Sequence, residues 1–172
     1  MRDLKHSYTI LLENIRLRPL YAEDLEQLRA WRNHDLIRIN FKDKRLISAE
    51  QQKKWYQGYL EDTTDFFFII EEIGRFNRPV GAVSLYNQHD NTAEFGRFII
   101  EAGEVQGNGI GYKALLAIIQ FSTNELQLNS IFLEVLKENV RAFNLYKKAG
   151  FVVCDHELNK GEQKTIRMVK QL

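Results

Sequence analysis

The 172-residue chain has little of what marks several specialised protein classes: one cysteine, two prolines and no apolar run of about 18 residues. The single cysteine, Cys154, cannot form a disulfide within the chain, which fits a reducing cytoplasm. Cys154 lies in an apolar stretch, so we expect it to be an inert core residue. The lack of a long apolar run predicts no membrane-spanning helix. The first residues carry only a short Ile-Leu-Leu core, so we expect no signal peptide and a cytoplasmic location.

The chain also lacks an excess of charge and any histidine spacing typical of a metal site. There are 24 Lys and Arg against 23 Asp and Glu, a formal net charge of +1, so no nucleic-acid partner is predicted. His6, His34, His89 and His156 lie far apart, so neither a metal site nor a metal cofactor is predicted. The hydrophobic share of 44% and the charged share of 27% are ordinary. We therefore expect one globular domain over residues 1–172, able to bury a core without disulfides or metal.

What the chain does contain is most informative between Glu94 and Gly111. The segment Phe95–Ile100 is rich in aromatic and β-branched residues and predicts a buried strand. Three glycines at alternate positions follow, and a segment of strong helix-forming residues begins at Tyr112. The unpaired N–H groups at a helix start favour a phosphate, so this stretch predicts a pyrophosphate-binding turn. A tight turn that binds nothing remains an alternative, and the dinucleotide-binding G-x-G-x-x-G spacing fails at Tyr112.

Hydrophobic periodicity and turn residues predict the remaining elements. The predicted strands cover 8–19, 66–71, 80–86, 95–100, 130–136, 151–156 and 163–169, and the predicted helices begin near Asp24, Ser48, Tyr112 and Val140. No repeat or linker interrupts this order. The pattern predicts a single α/β domain with a mixed sheet.

Two motifs in this chain resemble those of the GCN5-related N-acetyltransferases. The first, Gln106-x-x-Gly109-x-Gly111, is similar to the pyrophosphate loop of that family. The second lies some thirty residues downstream and consists of Asn139, Ala142, Tyr146, Gly150 and Phe151 at the spacing of the family's C-terminal signature. Two motifs in the right order are far more specific than either alone, and the similarity covers roughly residues 15 to 170.

The resemblance implies a fold, an activity and a co-substrate. The fold is a mixed, mostly antiparallel sheet of about seven strands flanked by about four helices, whose central strands splay apart to hold acetyl-CoA. The activity is acetyl-CoA-dependent N-acetylation of a primary amine by direct attack in a ternary complex. No metal and no membrane takes part, and a homodimer is one assembly consistent with the family.

The resemblance also implies the residues that bind acetyl-CoA. They are Phe98, Ile99, Ile100, Gln106, Gly107, Asn108, Gly109, Ile110, Gly111, Tyr112, Asn139, Tyr146 and Lys148. Tyr146 is the implied general acid, since a phenol with a pKa of about 10 can hand a proton to a departing thiolate; the alternative is a ring that only packs. Asn139 could instead serve only as a helix N-cap. The oxyanion donor is expected to be a backbone N–H near Ile99 or Ile100.

The general base is left open among three candidates. Glu94 and Glu134 each lie in an otherwise apolar predicted strand that borders the expected splay, where burial would raise a carboxyl pKa toward a useful value. Either side chain could instead face solvent or pair with a cation such as Arg97. A chain of water molecules is the third candidate.

The acceptor is predicted from a basic segment, residues 29–54. It holds eight Lys or Arg against three acidic residues, a local net charge of +5 that would attract an anionic small-molecule amine. The patterns Trp31-Arg32-Asn33 and Ile47-Ser48 with Trp55 resemble acetyltransferases that act on nucleotide-linked amino sugars. In that interpretation Arg32, Asn33, Trp55 and Tyr56 bind the acceptor.

Other interpretations of the same chain remain open. The basic segment could be a solvated surface. The enzyme could be a ribosomal-protein N-terminal or a polyamine (spermidine) acetyltransferase, although a polyamine site should be acidic. An alternative of another class is a non-catalytic CoA-binding sensor.

Overall fold

The computed structural model describes the backbone of residues 5–160 and 163–172 and the side chains of 5–154 and 164–172. The side chain of His156 therefore lies outside the described residues. Within these ranges the chain forms eight strands, five α-helices and one short 3-10 helix. The strands are β1 (Ile10–Leu12), β2 (Ile15–Pro19), β3 (Phe66–Glu72), β4 (Arg78–His89), β5 (Thr92–Ile100), β6 (Ser130–Leu136), β7 (Val152–Lys160) and β8 (Gln163–Gln171). The α-helices are α1 (Leu25–Asn33), α2 (Asp35–Arg38), α3 (Ala49–Glu61), α4 (Ile110–Asn124) and α5 (Val140–Lys148), and the 3-10 helix covers Ala22–Asp24.

The described strands form one mixed sheet in the order β1-β2-β3-β4-β5-β6-β8-β7, and its pairs are antiparallel except for β5 with β6. β5 and β6 pair only where Thr92–Glu94 meets Ser130–Phe132. Both strands continue well beyond these pairs, so their later halves diverge and leave a gap in the sheet. The predicted α/β domain with splayed central strands is confirmed.

The element count exceeds the prediction by one strand and one helix. The predicted strand 8–19 is two strands, because the chain turns at Glu13, whose φ is +52°. The second difference is α2, a single helical turn after α1 that the sequence pattern did not predict. Both are local turns of a few residues, which hydrophobic periodicity does not resolve.

Helices cover both faces of the sheet and bury two apolar layers. On one face Phe68 and Ile70 pack in a core that includes residues of α4 and α5. On the other face Phe67 and Ile69 pack in a core that includes residues of α1 and α3. The almost continuous apolar run of β3 is explained by this double burial.

Local sequence signals account for the helix starts that border the later site. The Ser48 hydroxyl accepts a hydrogen bond from the Gln51 N–H at 3.1 Å, and the Gln51 side chain accepts one from the Ser48 N–H at 2.9 Å. This reciprocal pair is a capping box, and it begins α3 at the predicted position, Ser48. Asn139 begins α5 by accepting a hydrogen bond from the Ala142 N–H at 3.2 Å.

A β-bulge in the middle of β5 changes which face its side chains occupy. Ala82 pairs with Ile99 but Ser84 pairs with Gly96, so two residues, Arg97 and Phe98, lie opposite one. Arg97 has a φ of +50°, a left-handed conformation that is unusual for a residue with a Cβ. Regular alternation would place Arg97 on the same face as Phe95. The bulge turns it to the opposite face, toward α3.

Cys154 is exposed rather than buried, so the expectation of a core thiol is wrong. It lies on β7, the last strand of the sheet, which has a neighbour on one side only. The nearby Val152 is also exposed, by 60%. None of the helices within the described ranges combines the length and apolar character needed to cross a bilayer.

Candidate active site

A cleft of about 670 Å³ follows the gap between β5 and β6 and extends to the glycine-rich turn before α4. Most of the predicted acetyl-CoA residues meet along it: Phe98, Ile99, Ile100, Gln106, Gly107, Gly109, Ile110, Gly111, Tyr112, Asn139, Tyr146 and Lys148. Asn108 does not line the cleft. Its amide donates to the Glu104 carbonyl at 2.7 Å and its oxygen accepts from Arg75 at 3.3 Å, so Asn108 shapes the turn.

The glycines of the turn are required by backbone conformation. Gly107 and Gly109 have φ values of +83° and +73°, and a Cβ on either would meet no other atom within 4 Å. Gly109 is the N-cap of α4, a helix of 15 residues. The Lys113 N–H bonds to the Gly109 carbonyl at 3.1 Å, which leaves the N–H groups of the first helical turn without an intrahelical acceptor. Together with the helix dipole they suit a diphosphate.

Two basic side chains stand beside this turn. Arg141 of α5 donates to the Gln106 side chain at 2.9 Å, and the Lys148 ammonium lies 4.3 Å from the centre of the Tyr112 ring. Both line the cleft, so the turn combines main-chain donors with two positive charges. These residues fit the anionic diphosphate of acetyl-CoA. Lys148 was identified from the sequence, but Arg141 was missed. The position of Arg141 in the first turn of the predicted helix after Asn139 was the signal that could have identified it.

Tyr146 lies at the inner part of the cleft, between two aromatic rings. Its ring centre is 5.8 Å from that of Phe95 and 5.9 Å from that of Phe151. Burial raises the pKa of Tyr146 well above its ordinary value, so the phenol keeps its proton at neutral pH. The hydroxyl makes no hydrogen bond to another described residue. Packing and proton donation are therefore compatible roles for this side chain.

A main-chain donor faces the gap near Tyr146. The Glu101 N–H bonds to the Val80 carbonyl on β4 at 2.8 Å. Because successive N–H groups of a strand point to opposite edges, the Ile100 N–H points to the edge where β6 has diverged. Ile100 therefore has the geometry expected of the oxyanion donor.

The two candidate bases have different surroundings. Glu94 accepts hydrogen bonds from the Tyr86 hydroxyl and the Asn87 amide, both at 3.0 Å. The buried Glu134 carboxylate is ion-paired with Lys42 and with Arg167, the latter at 2.9 Å. Both glutamates line the cleft. Glu94 has only neutral donors in these contacts, whereas Glu134 is held by two cations.

A second cavity, of about 400 Å³, adjoins the cleft on the α1 and α3 side of the sheet and is called the acceptor pocket below. Its apolar wall includes Leu28, Trp55, Phe67 and Ile99. Its polar lining includes Arg32, Asp43, Arg45, Gln51, Gln52 and Arg97. Of the four predicted acceptor residues, Arg32 and Trp55 line this pocket, and Arg32 and Arg97 line the cleft as well.

The structure does not bring Asn33 and Tyr56 into the acceptor pocket. The Asn33 side chain clamps the main chain of Ile47 through two hydrogen bonds, each of 2.8 Å. Tyr56 is 6% exposed and lines a different cavity, between α1 and α3. Helical rotation separates Tyr56 from its neighbour Trp55, and the sequence alone did not decide which of the two faces the pocket.

Three of the charged side chains in the pocket are arginines, of which sequence reasoning selected one. The Asp43 carboxylate is held by Arg45 at 2.7 Å, and hydrogen bonds from Arg45 keep the pKa of Asp43 below its ordinary value. Burial lowers the pKa of Arg32, whose Nη1 is buried and has no hydrogen-bond partner. In the part of the chain that is described, no group of three or more His, Cys, Asp or Glu side chains is arranged to hold a metal ion.

Comparison with protein families and known proteins gives a consistent assignment. A family model for the acetyltransferase (GNAT) domain matches residues 14–152. The chain is 28% identical over 140 residues to spermidine N(1)-acetyltransferase of Escherichia coli strain K12, covering 81% of this chain and 74% of that protein. It is 23% identical over 138 residues to acetyltransferase PseH of Campylobacter jejuni, covering 80% and 83%.

Solved structures agree with the sequence comparisons. A crystal structure of spermidine N-acetyltransferase from Vibrio cholerae in complex with CoA and spermine matches with a TM-score of 0.81 and 27% identity, over 93% of this chain and 96% of that one. A dodecameric structure of the V. cholerae enzyme matches with a TM-score of 0.73 and 25% identity, over 93% and 95%. None of these relatives is named for an amino sugar. Related proteins therefore support the polyamine alternative better than the predicted nucleotide-linked amino sugar.

Proposed function

Because the chain belongs to the acetyltransferase (GNAT) family, we propose that the cleft along β5 and β6 is its acetyl-CoA site and that the acceptor pocket admits the primary amine of a small molecule. As a member of this family the chain is an N-acetyltransferase that uses acetyl-CoA as its co-substrate. The alternative of a non-catalytic CoA-binding sensor is therefore not supported.

The observation that carries this proposal is the continuity of the two cavities. The cleft contains the glycine turn at one end, and it shares Arg32, Arg97 and Ile99 with the acceptor pocket. A thioester in the gap between β5 and β6 would thus lie at the mouth of the pocket that receives the amine. Holding both reactants in such an arrangement removes a large part of the barrier, because the entropy of bringing them together is lost on binding.

In the proposed reaction the amine nitrogen attacks the thioester carbonyl carbon, a C–N bond forms and the C–S bond breaks. The Tyr146 hydroxyl gives its proton to the departing sulfur. The Ile100 N–H stabilises the carbonyl oxygen as negative charge develops on it. No side-chain nucleophile is needed, because the amine attacks directly.

Glu94 is the better candidate for the group that takes the proton from the amine. The two cations that hold Glu134 stabilise its ionised form and so reduce its basicity. Glu94 is oriented instead by two neutral donors, the Tyr86 hydroxyl and the Asn87 amide. Glu134 then serves to hold Lys42 and Arg167 together at the edge of the cleft.

Polyamines are the first acceptor class to test, because relatives named for spermidine match most of the chain. The apolar wall of the acceptor pocket would suit the methylene segments of a polyamine. An amine that carries an anionic group is the second class, favoured by the arginines of the same pocket. A homodimer and a cytoplasmic location stay predictions.

The test is an assay of free-thiol release from acetyl-CoA with a panel of acceptors. The panel holds spermidine, spermine, amino sugars with and without phosphate, nucleotide-linked amino sugars and a ribosomal-protein N-terminal peptide. Turnover of any amine at the expense of acetyl-CoA supports the assignment of the two cavities. Turnover of the peptide alone would contradict the small-molecule acceptor, and failure of the protein to bind acetyl-CoA would contradict the assignment of the cleft.

A further inference from the structure

Arg97 is the least expected residue of the acceptor pocket. It adopts a φ of +50° in the middle of a strand, a conformation that costs free energy unless the surroundings hold it. The bulge at this position turns its side chain onto the pocket side of the sheet. The Arg97 side chain remains 32% exposed, and the residue lines both the pocket and the cleft. The chain thus maintains a strained backbone that presents a cation where the two cavities meet.

Contacts on three sides fix the orientation of the Arg97 guanidinium. Its Nη1 donates to the buried Asp65 carboxylate and to the Ser84 hydroxyl, the latter at 3.3 Å. Ser84 itself donates to Asp65 at 2.8 Å. The guanidinium carbon lies 4.2 Å from the centre of the Tyr86 ring and 5.7 Å from that of Trp55. The remaining N–H groups of Arg97 have no hydrogen-bond partner among the described residues.

Arg32 supplies a second guanidinium to the lining of the same pocket. Its guanidinium lies 3.9 Å from the centre of the Phe41 ring and donates through Nη2 to the Asp43 carbonyl. Its Nη1 is buried without a partner. An unpaired buried donor is costly, so a small shift of the Arg32 side chain that pairs Nη1 with a ligand oxygen would be stabilising. Two guanidinium groups with unused donors that line one pocket suit an anion.

The carboxylates near the pocket are already occupied by arginines. Asp43 is bound by Arg45, and Asp65 is bound by Arg97 behind the pocket wall. A polycation would therefore meet arginine side chains and would have to compete with Arg45 for the one carboxylate of the pocket lining, Asp43. This distribution of charge disfavours a polyamine and favours an amine that also carries a negative group.

On the basis of the N-acetyltransferase function, we propose that the acceptor carries a phosphate or carboxylate group beside its primary amine, and that Arg97 and Arg32 bind this group. Arg97 is then the residue that determines acceptor class, since it stands between the anion and the thioester. The fork of a guanidinium can hold two oxygens of a phosphate or carboxylate at once, which also orients the amine.

The test measures anion binding to the protein after its acetyl-CoA site has been saturated with CoA. The probes are inorganic pyrophosphate and malonate. Their binding is measured by isothermal titration and by the chemical shifts of labelled arginine side chains. We expect at least one probe to bind, and Arg97→Lys to weaken that binding by roughly tenfold, because lysine keeps a cation for Asp65 but loses the fork. Arg32→Gln should weaken it similarly. Lys54→Gln removes an exposed charge from α3 outside the pocket and should leave affinity within about twofold.

Each result has a definite meaning. Binding of pyrophosphate alone indicates that the anionic group of the acceptor is a phosphate, and binding of malonate indicates that it is a carboxylate. No binding to the CoA-saturated protein, or equal binding by the wild type, Arg97→Lys and Arg32→Gln, would overturn the proposal. CoA binding is measured first, so its failure would contradict the proposed function and not the anion site alone.

A matched pair of acceptors gives a second, independent readout. With glucosamine and glucosamine 6-phosphate, the ratio of kcat/KM values should favour the phosphorylated amine, and Arg97→Lys should reduce that ratio by about tenfold. A kcat/KM for spermidine that exceeds the values for glucosamine and glucosamine 6-phosphate, and that Arg97→Lys leaves unchanged, would also overturn the proposal. Circular dichroism confirms that each variant is folded.

Discussion

The hydroxyl of Tyr146 combines two properties that a proton donor in a cleft needs. Burial between Phe95 and Phe151 fixes the ring, and the same burial raises the pKa of the phenol so that it stays protonated. Its hydroxyl is not engaged by another described residue, so it remains available to a substrate sulfur.

Replacing Tyr146 by Phe should therefore remove the proposed acid and preserve the packing of the ring. We expect kcat to fall by roughly a hundredfold while the affinity for acetyl-CoA changes by less than about threefold. Steady-state kinetics and acetyl-CoA titration measure the two effects. Tyr8→Phe, at an aromatic position remote from the cleft, is the control. An unchanged kcat would remove Tyr146 as the acid.

Glu94 and Glu134 can be separated by matched substitutions. Glu94→Gln removes the proposed proton acceptor and should lower kcat by at least about tenfold. Glu134→Gln breaks two ion pairs, so it should lower the melting temperature. Its kcat should change less than that of Glu94→Gln. Steady-state kinetics and thermal melts measure the two effects, and a large loss of kcat in Glu134→Gln with an unchanged kcat in Glu94→Gln would assign the base to Glu134.

At the scale of an element, the proposed role of the turn between β5 and α4 depends on its backbone conformation. Gly109 combines a left-handed φ of +73° with the N-cap position of α4, and β-branched residues are strongly disfavoured there. The unpaired N–H groups in the first turn of α4 keep their orientation only if this backbone conformation is kept.

Substituting Gly109 by Val should thus distort the turn and weaken acetyl-CoA binding by more than about tenfold, with the remainder of the domain folded. Isothermal titration measures the affinity, and circular dichroism reports the fold. Gly58→Ala is a suitable control, because a Cβ at this helical position has open space. Wild-type affinity in Gly109→Val would contradict the assignment of the turn.

The turn between β3 and β4 depends on the buried carboxylate of Glu72. Burial raises the pKa of Glu72, but hydrogen bonds from the Phe76, Arg75 and Gly74 N–H groups and from the Asn14 amide outweigh it and lower the pKa to about 2. A depressed carboxyl pKa stabilises the fold above the unfolded-state pKa, and that stabilisation is lost as pH falls.

The free energy of unfolding should accordingly decline between about pH 4.5 and pH 2 in the wild type and decline less in Glu72→Gln. Urea unfolding at a series of pH values measures both slopes. Glu61→Gln, at the exposed end of α3, should follow the wild type. Parallel slopes for the wild type and Glu72→Gln would show that this carboxylate does not carry the pH dependence.

The whole molecule depends on a sheet covered by helices on both faces. Leu115 of α4 is fully buried in the larger core, whereas Leu11 of β1 is 61% exposed. The cleft exists because β5 and β6 separate within this framework, so the surrounding core must resist collapse of the gap.

Truncating Leu115 to Ala should destabilise the domain by about 2–5 kcal/mol through lost contacts and a cavity. Leu11→Ala, the same chemical change at an exposed position, should cost no more than about 0.5 kcal/mol. Chemical unfolding of the two variants beside the wild type checks the difference. Similar losses for both would contradict the described burial.

The sequence by itself determined the features that depend on near neighbours in the chain. The capping box at Ser48, the N-cap at Asn139 and the glycine turn up to Gly111 are set by residues within a few positions of one another. The periodicity of apolar residues likewise predicted the main strands and helices. The two family motifs predicted how these elements combine into the fold and where acetyl-CoA is proposed to bind.

Only the tertiary structure decided which side chains meet in the acceptor pocket. The bulge at Arg97 reverses the expected alternation, and the partner of Arg97, Asp65, lies 32 residues away in the chain. The exclusion of Tyr56 and Asn33 from the pocket follows from helix rotation and from a clamp on Ile47. Such pairings depend on the packing of distant segments, and local sequence patterns contain no information about their relative orientation.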